Sequence, residues 1–262
     1  MLPKPIRTLL WYLKRPRLYP QLLNEIVTIL HNFFFAKAHS RQEAVAWCQA
    51  VAVSMDAAME QLLGTAAICS IEEQFPDIFV EAQKKADQCP VQMGGHGNLD
   101  LLFALAENCD AINVLETGVA YGWSSLAILL SLKHRSGARL ISTDMPYPGL
   151  QNDLYVGCVV PDDLKAPWTV IPYPDRQAIP KALKSFDGTI DMCHYDSDKN
   201  WLGRMWAYKR LWKAIRPGGY FISDDIADNL AFKCFSESVG VEPTVIKSDD
   251  KYVGVLIKKV TG

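Results

Sequence analysis

Long apolar runs, paired cysteines and an excess of basic charge are all missing from this sequence of 262 residues. No segment reaches the roughly 18 uninterrupted apolar residues that a membrane-spanning helix needs. The seven cysteines are irregularly spaced and include no CxxC pair, so we expect reduced thiols and a cytoplasmic location, not a disulfide framework or a zinc site. The formal net charge of −2 argues against nucleic acid as the main partner, because phosphate-binding surfaces usually carry a basic excess.

Acidic residues are absent from the first twenty positions, which combine basic and apolar side chains. The basic residues are Lys4, Arg7, Lys14, Arg15 and Arg17. Such a stretch is compatible with peripheral contact to an anionic membrane surface, but we favour a helix that packs on the domain or on a second subunit. We expect residues 1–90 to form a helical extension that acts as a lid, a dimer interface or a membrane contact, and we expect a homodimer.

The chain changes character near residue 90. Before it, segments such as 42–63 carry apolar residues at helical spacing and show no strand alternation. A stretch with one proline and three glycines, 89–97, reads as a linker. We therefore predict a second unit over 91–262.

Strands and helices alternate regularly in this second unit. The predicted strands are 112–117, 139–143, 169–173, 190–195, 220–223, 244–247 and 252–258. Helices between the first five strands predict parallel pairing, and the short turn between the last two predicts an antiparallel hairpin. The expected fold is α/β: a Rossmann-like, mostly parallel seven-stranded sheet with an antiparallel C-terminal hairpin, helices on both faces and an N-terminal helical extension.

Glycine and acidic residues follow the predicted strands. In open α/β sheets the ligand lies beyond the carboxyl ends of the strands, so these residues are candidates for a binding site. They are Gly118, Asp144, Asp175, Asp196, Asp224 and Asp225.

The loop after the first strand reads Glu116-Thr-Gly118-Val-Ala-Tyr121-Gly122. Glycines at a strand-to-helix turn allow a tight bend and a close approach of the backbone to a ligand. A dinucleotide fingerprint needs G-x-G-x-x-G, and Ala120 and Trp123 stand at its second and third glycine positions, which disfavours an NAD-dependent enzyme.

Two acids further along the chain extend this candidate site. Asp144 ends the second strand, where a carboxylate can accept hydrogen bonds from the vicinal hydroxyls of a ribose. Asp175 follows the third strand, and either flanks an adenine or caps the next helix.

Three carboxylates are expected to meet at neighbouring strand ends: Asp196, Asp224 and Asp225. Crowded carboxylates repel unless a cation or proton intervenes, and hard oxygen ligands suit Mg²⁺. A bound cation would lower the pKa of a substrate hydroxyl. Alternatively, Asp196 has a structural role at the end of its strand and Asp225 caps the next helix.

These segments resemble class I S-adenosylmethionine-dependent methyltransferases. The E-x-G-x-x-x-G loop is similar to their first motif, and Y-D-S-D-K with G-G-Y-F-I-S-D-D is similar to metal-dependent O-methyltransferases of the catechol and macrocin types. For the cofactor, the resemblance implies contacts from Glu116, Gly118, Tyr121, Gly122, Ser124, Asp144, Asp175 and Asp196. For a divalent metal, it implies Asp196, Asp224 and Asp225, although catechol-type enzymes carry Asn at the last position.

The resemblance leaves the general base open. Lys199 matches the catalytic lysine of the catechol type, whereas Asp198 matches the acid proposed for the macrocin type. Either could take a hydroxyl proton, the lysine only if its pKa is lowered. Asp196 completes the predicted catalytic set, and His194 reads as a core residue.

The sequence thus predicts O-methylation of a hydroxyl on a small molecule, such as a sugar or a phenolic natural product, assisted by Mg²⁺. The alternatives are metal-independent methylation of nitrogen or carbon, and a non-catalytic binding protein of the same fold.

Overall fold

The computed structural model describes residues 4–34, 40–65, 69–148, 152–248 and 251–259. The helices are α1 (Lys4–Leu13), α2 (Tyr19–Phe34), α3 (Arg41–Val51), α4 (Met55–Leu63), α5 (Ile71–Gln74), α6 (Pro76–Asp87), α7 (Leu99–Asn108), α8 (Trp123–Leu132), α9 (Asp175–Ser185), α10 (Trp201–Ala214) and α11 (Ala231–Val239). The strands are β1 (Asn113–Thr117), β2 (Arg139–Thr143), β3 (Trp168–Ile171), β4 (Ile190–Tyr195), β5 (Ile215–Ser223), β6 (Thr244–Ser248) and β7 (Lys251–Ile257).

The strands form one seven-stranded sheet in the order β3-β2-β1-β4-β5-β7-β6. The first five strands are parallel, while β7 runs antiparallel to both β5 and β6. This confirms the predicted fold class, including the antiparallel C-terminal pair. The strand order reverses between β1 and β4, which places a crevice above their carboxyl ends.

Burial on both faces of the sheet explains why its central strands are so apolar. All six residues of β4 are buried, and one apolar cluster lies on each side of the sheet. Helix α8 is apolar on all sides, and nine of its ten residues are buried. Strands and helices covered in this way need no polar face.

The structure differs from the predicted elements mainly at their boundaries. Residues 42–63 form two helices, because the chain extends at Val53 and forms a parallel bridge with Ile246 of β6. The hydroxyl of Ser54 then accepts a hydrogen bond from the Ala57 N–H and caps α4. Strand β5 begins at Ile215, five residues earlier than predicted.

The N-terminal helices pack in two different ways. Helices α4 and α6 share a core with α7 and α8 through buried side chains such as Met59, Leu62 and Phe79. Helix α2, by contrast, has no buried residue. Within the described ranges, no helix combines the length and apolar character needed to cross a bilayer. The boundary at residue 90 stays a prediction.

Candidate active site

A cavity of about 1200 Å³ opens at the carboxyl edge of the sheet. Its lining includes all six strand-end residues that the sequence singled out: Gly118, Asp144, Asp175, Asp196, Asp224 and Asp225. Topology alone brings them together, because parallel strands end on the same edge.

The glycine loop after β1 requires glycine at two positions. Gly118 has a φ of +80°, and a Cβ there would lie 2.3 Å from the carbonyl oxygen of Asp196. Gly122 has a φ of +94°, and its Cβ would lie 2.8 Å from the Cα of Gly157. The loop therefore approaches neighbouring backbone too closely for any side chain, and its open face lines the cavity.

Glu116 lies beneath this loop and does not line the cavity. Its side chain is fully buried, and its oxygens accept hydrogen bonds from the hydroxyls of Ser124 at 2.5 Å, Ser125 at 2.5 Å and Ser142 at 2.7 Å. The predicted cofactor contact at Glu116 therefore does not fit the arrangement. The carboxylate instead ties β1 to β2 and to the start of α8.

Asp144 faces the cavity beside the glycine loop. Its Oδ2 atom accepts a hydrogen bond from the Ala120 N–H at 3.0 Å. Burial raises the pKa of Asp144 to about 6, although hydrogen bonds from the Ala120 and Val119 N–H groups oppose this. The carboxylate is thus desolvated and can accept hydroxyl donors from a bound ribose.

Asp175 is held from within the protein. Its Oδ2 atom accepts hydrogen bonds from the hydroxyls of Ser197 at 2.6 Å and Tyr195 at 3.0 Å. Burial raises its pKa to about 6. It is the first residue of α9 and makes no cap, since Pro174 occupies that position. Asp175 therefore joins the β3–α9 turn to the end of β4 while still lining the cavity.

The predicted linker forms a wall of the cavity. Residues 93–98 line it, as do Tyr121 and Trp123 of the glycine loop. The Tyr121 hydroxyl donates a hydrogen bond to the Val91 carbonyl at 3.0 Å, and the His96 ring packs edge-on against Trp123 at 4.0 Å. Sequence reasoning missed this wall, because a glycine-rich stretch carries no periodic signal.

A lysine lies among the acidic side chains at the ends of β4 and β5. The Lys199 Nζ atom forms an ion pair with Asp196 Oδ1 and lies 2.9 Å from Asp225 Oδ2. Lys251 Nζ lies 3.2 Å from the other oxygen of Asp225. Burial alone would lower the pKa of Lys199, but the carboxylates of Asp196 and Asp225 outweigh it and raise that pKa.

The third acid, Asp224, lies beside His194. The His194 Nε2 atom is 3.6 Å from Asp224 Oδ2, and its Nδ1 atom is 3.5 Å from Glu116 Oε1. The ring is 2% exposed. Burial would lower the pKa of His194, but Asp224 and Glu116 raise it to about 10. The two carboxylates therefore favour the protonated form of His194, which lies in the lining of the cavity.

These contacts do not fit the predicted magnesium site. Among the described residues, no group of three or more His, Cys, Asp or Glu side chains is arranged to hold a metal ion. Asp196 and Asp225 instead bind Lys199, and Asp224 faces His194.

Asp198 and a buried arginine order the loop after β4. Asp198 Oδ1 accepts hydrogen bonds from the backbone and side-chain nitrogens of Asn200, at 2.8 and 2.9 Å. Arg204 is fully buried, and it donates to the carbonyl oxygens of Asp198 at 3.3 Å and Asp224 at 3.2 Å. Arg204 therefore joins the β4 and β5 ends, a role that no sequence motif indicated.

Residues 115–226 match a family model described as a methyltransferase domain. No match was found among curated protein sequences.

Solved structures share the fold at low identity. An O-methyltransferase from Bacillus cereus with SAH bound is 15% identical, with a TM-score of 0.52 over 80% of this chain and 100% of its own. An O-methyltransferase from Streptomyces achromogenes involved in tomaymycin synthesis, with SAM bound, is 17% identical, with a TM-score of 0.54 over 78% and 95%. A SAH-bound methyltransferase from Podospora anserina is 13% identical, with a TM-score of 0.52 over 74% and 99%. Residues 115–226 thus match a methyltransferase domain, and the chain shares its fold with solved O-methyltransferases that hold SAM or SAH.

Proposed function

We propose that the protein methylates a hydroxyl group of a small molecule, in the class of sugars and phenolic natural products, without a divalent metal. The observation that carries this proposal is the pairing of Lys199 with Asp196 and Asp225 inside the cavity. It gives the acceptor end of the site both a fixed positive charge, on Lys199, and a carboxylate, Asp196, that can take up a proton.

The cofactor would lie along the glycine loop. Its ribose hydroxyls would donate to Asp144, and the Gly118 backbone would lie beside its amino-acid end. The acceptor would then lie beyond Asp196, where Asp198, Asn200 and Trp206 line the same cavity. Positioning supplies much of the rate, because the sulfonium already carries an activated methyl group.

In the reaction, the acceptor oxygen attacks the methyl carbon as the bond from that carbon to sulfur breaks. The products are the methyl ether, S-adenosylhomocysteine and one proton. We assign Asp196 as the proton acceptor, since burial and the neighbouring Asp224 raise its pKa and make it a stronger base. Lys199 is excluded as the base because its raised pKa keeps it protonated; its charge stabilises the oxygen as the proton leaves.

Methyl transfer from isotopically labelled S-adenosylmethionine tests this assignment. Panels of phenols, sugars, amines and carbon nucleophiles are incubated with the enzyme, with and without EDTA, and the products are identified by mass spectrometry. We expect label on oxygen in both conditions. Label on nitrogen or carbon would overturn the hydroxyl assignment, and transfer that stops with EDTA would overturn metal independence.

A further inference from the structure

The two N-terminal helices expose their apolar faces to solvent. In α2, the outward side chains are Leu23, Ile26, Val27, Leu30, Phe33 and Phe34, each between 48% and 79% exposed. In α1, the exposed residues Ile6, Leu9, Leu10 and Leu13 follow the i, i+3, i+4, i+7 spacing of one helix face. Of the fifteen large hydrophobic side chains exposed in the described residues, twelve lie between residues 6 and 34.

The polar face of α2 points the other way, toward the protein. Gln21, Asn24, Glu25 and Thr28 line the mouth of the active-site cavity. The helix is therefore amphipathic in the opposite sense to a surface helix of a soluble domain, whose apolar face packs on the core. A contiguous apolar patch of this kind marks a surface that another body covers.

Contacts with the domain fix this orientation. The Gln177 side chain donates a hydrogen bond to the Arg17 carbonyl at 3.0 Å. The His31 ring stacks on Trp201 with centroids 6.2 Å apart. The first contact holds the turn between α1 and α2 against the domain, and the second holds α2, so the apolar side of α2 stays outward.

The basic residues around the apolar patch favour one kind of covering surface over another. Arg7, Lys14 and Arg17 are exposed beside it, and Glu25, the one acidic residue in positions 1–42, lines the cavity. A second copy would bring like charges together across the interface, whereas an anionic lipid surface complements them.

We propose that α1 and α2 dock on an anionic lipid bilayer, with their apolar side chains in the interface and the basic residues at the headgroups. The mouth of the cavity then lies at the membrane surface, behind α2. This inference stands on the surface alone and does not depend on the acceptor or on the role of Lys199.

Vesicle co-sedimentation of the whole chain tests the proposal. The probes are phosphatidylcholine vesicles containing one third phosphatidylglycerol and vesicles of phosphatidylcholine alone. We expect binding to the anionic vesicles that weakens as salt rises, and at least tenfold weaker binding to the neutral ones.

Two sets of variants separate the apolar and charged contributions. The triple variant Leu23→Gln, Val27→Gln, Leu30→Gln removes apolar contacts at exposed helical positions, and its matched control is Val51→Gln, Val80→Gln, Leu154→Gln. The triple variant Arg7→Gln, Lys14→Gln, Arg17→Gln removes charge, and its matched control is Lys184→Gln, Lys209→Gln, Lys213→Gln.

We expect the apolar triple variant to bind at least tenfold more weakly than its control. The charge triple variant should lose about a hundredfold, because each basic residue near an anionic surface contributes about a factor of five. Equal binding by the variants and their controls would overturn the proposal. A second outcome would also overturn it: the wild type does not bind vesicles, and light scattering shows a dimer that the apolar triple variant dissociates. The patch would then be a subunit interface.

Discussion

Substitution of Asp144 tests the proposed contact with the cofactor ribose most directly. We expect Asp144→Asn to weaken S-adenosylhomocysteine binding by about ten- to a hundredfold, because hydrogen bonds to a charged acceptor contribute about 1.5–3 kcal/mol. Isothermal titration calorimetry measures this change. Asp163→Asn, at an exposed position, is the control and should bind as the wild type does. Unchanged binding by Asp144→Asn would show that the ribose lies elsewhere.

The pH dependence of S-adenosylhomocysteine binding should follow the ionisation of the Asp144 carboxylate. Its pKa is raised to about 6 in the free protein, and ribose hydroxyls donate to the ionised form. Affinity should therefore be full above about pH 7 and fall by up to tenfold per pH unit below about pH 6. Titrations across this range should show the decline in the wild type and a flatter profile in Asp144→Asn. A profile of equal slope in both proteins would assign the effect to another group.

Substitution of Lys199 tests whether methyl transfer depends on a metal ion. We expect wild-type methyl transfer to survive EDTA unchanged. Lys199→Ala should lower kcat about a hundredfold or more while S-adenosylhomocysteine affinity changes by less than tenfold. Because this variant leaves Asp196 and Asp225 without that ammonium, we also expect Mn²⁺ binding, measured by calorimetry, to appear in the variant only. Tight Mn²⁺ binding by the wild type would contradict this account.

The sequence predicted which residues lie at the strand ends, but not which side chains they contact. Topology brings Gly118, Asp144 and Asp196 to one edge whatever their side chains contact. The hydroxyls that surround Glu116 come from distant parts of the chain, so no local pattern marked it as buried. The raised pKa of Lys199 also depends on Asp225, which lies one strand away.

At the scale of elements, the glycine loop depends on how closely it approaches β4. We expect Gly118→Ala to lower the free energy of unfolding by several kcal/mol and to abolish cofactor binding, because its Cβ would overlap the Asp196 carbonyl. Gly137 is a matched control, with a φ of +75° and no atom within 4 Å of the position that a Cβ would occupy. Gly137→Ala should cost only about 1–2 kcal/mol of backbone strain. Equal losses in thermal unfolding experiments would refute the steric explanation.

Sequence periodicity predicted the strands of the sheet more accurately than the helices that precede the sheet in the chain. Strands β2 and β4 begin and end where predicted, because buried apolar runs end at Asp144 and Asp196. The break at Val53 was missed, since its cause is a bridge to Ile246 far along the chain. The wall formed by residues 93–98 was missed for a different reason, since a glycine-rich stretch carries no periodic signal.

At the scale of the whole molecule, the helices before residue 90 contribute to the core unequally. We expect a fragment of residues 91–262 to aggregate, because it lacks α4, α5 and α6 and would expose the surfaces that Leu62, Ile71 and Phe79 cover. A fragment of residues 40–262 lacks only α1 and α2 and should fold. Circular dichroism and thermal unfolding distinguish these outcomes, and a stable, cooperative 91–262 fragment would show that the domain does fold alone.

The central claim is that one edge of the sheet holds the nucleoside and directs its methyl group toward an acceptor oxygen that lies beside Asp196. A crystal structure with S-adenosylhomocysteine bound tests it most directly. We predict that the ribose hydroxyls contact Asp144, that the amino-acid end lies along Gly118, and that the sulfur points toward Asp196 and Lys199. A ligand bound away from these residues, or with its sulfur directed away from Asp196, would contradict the account.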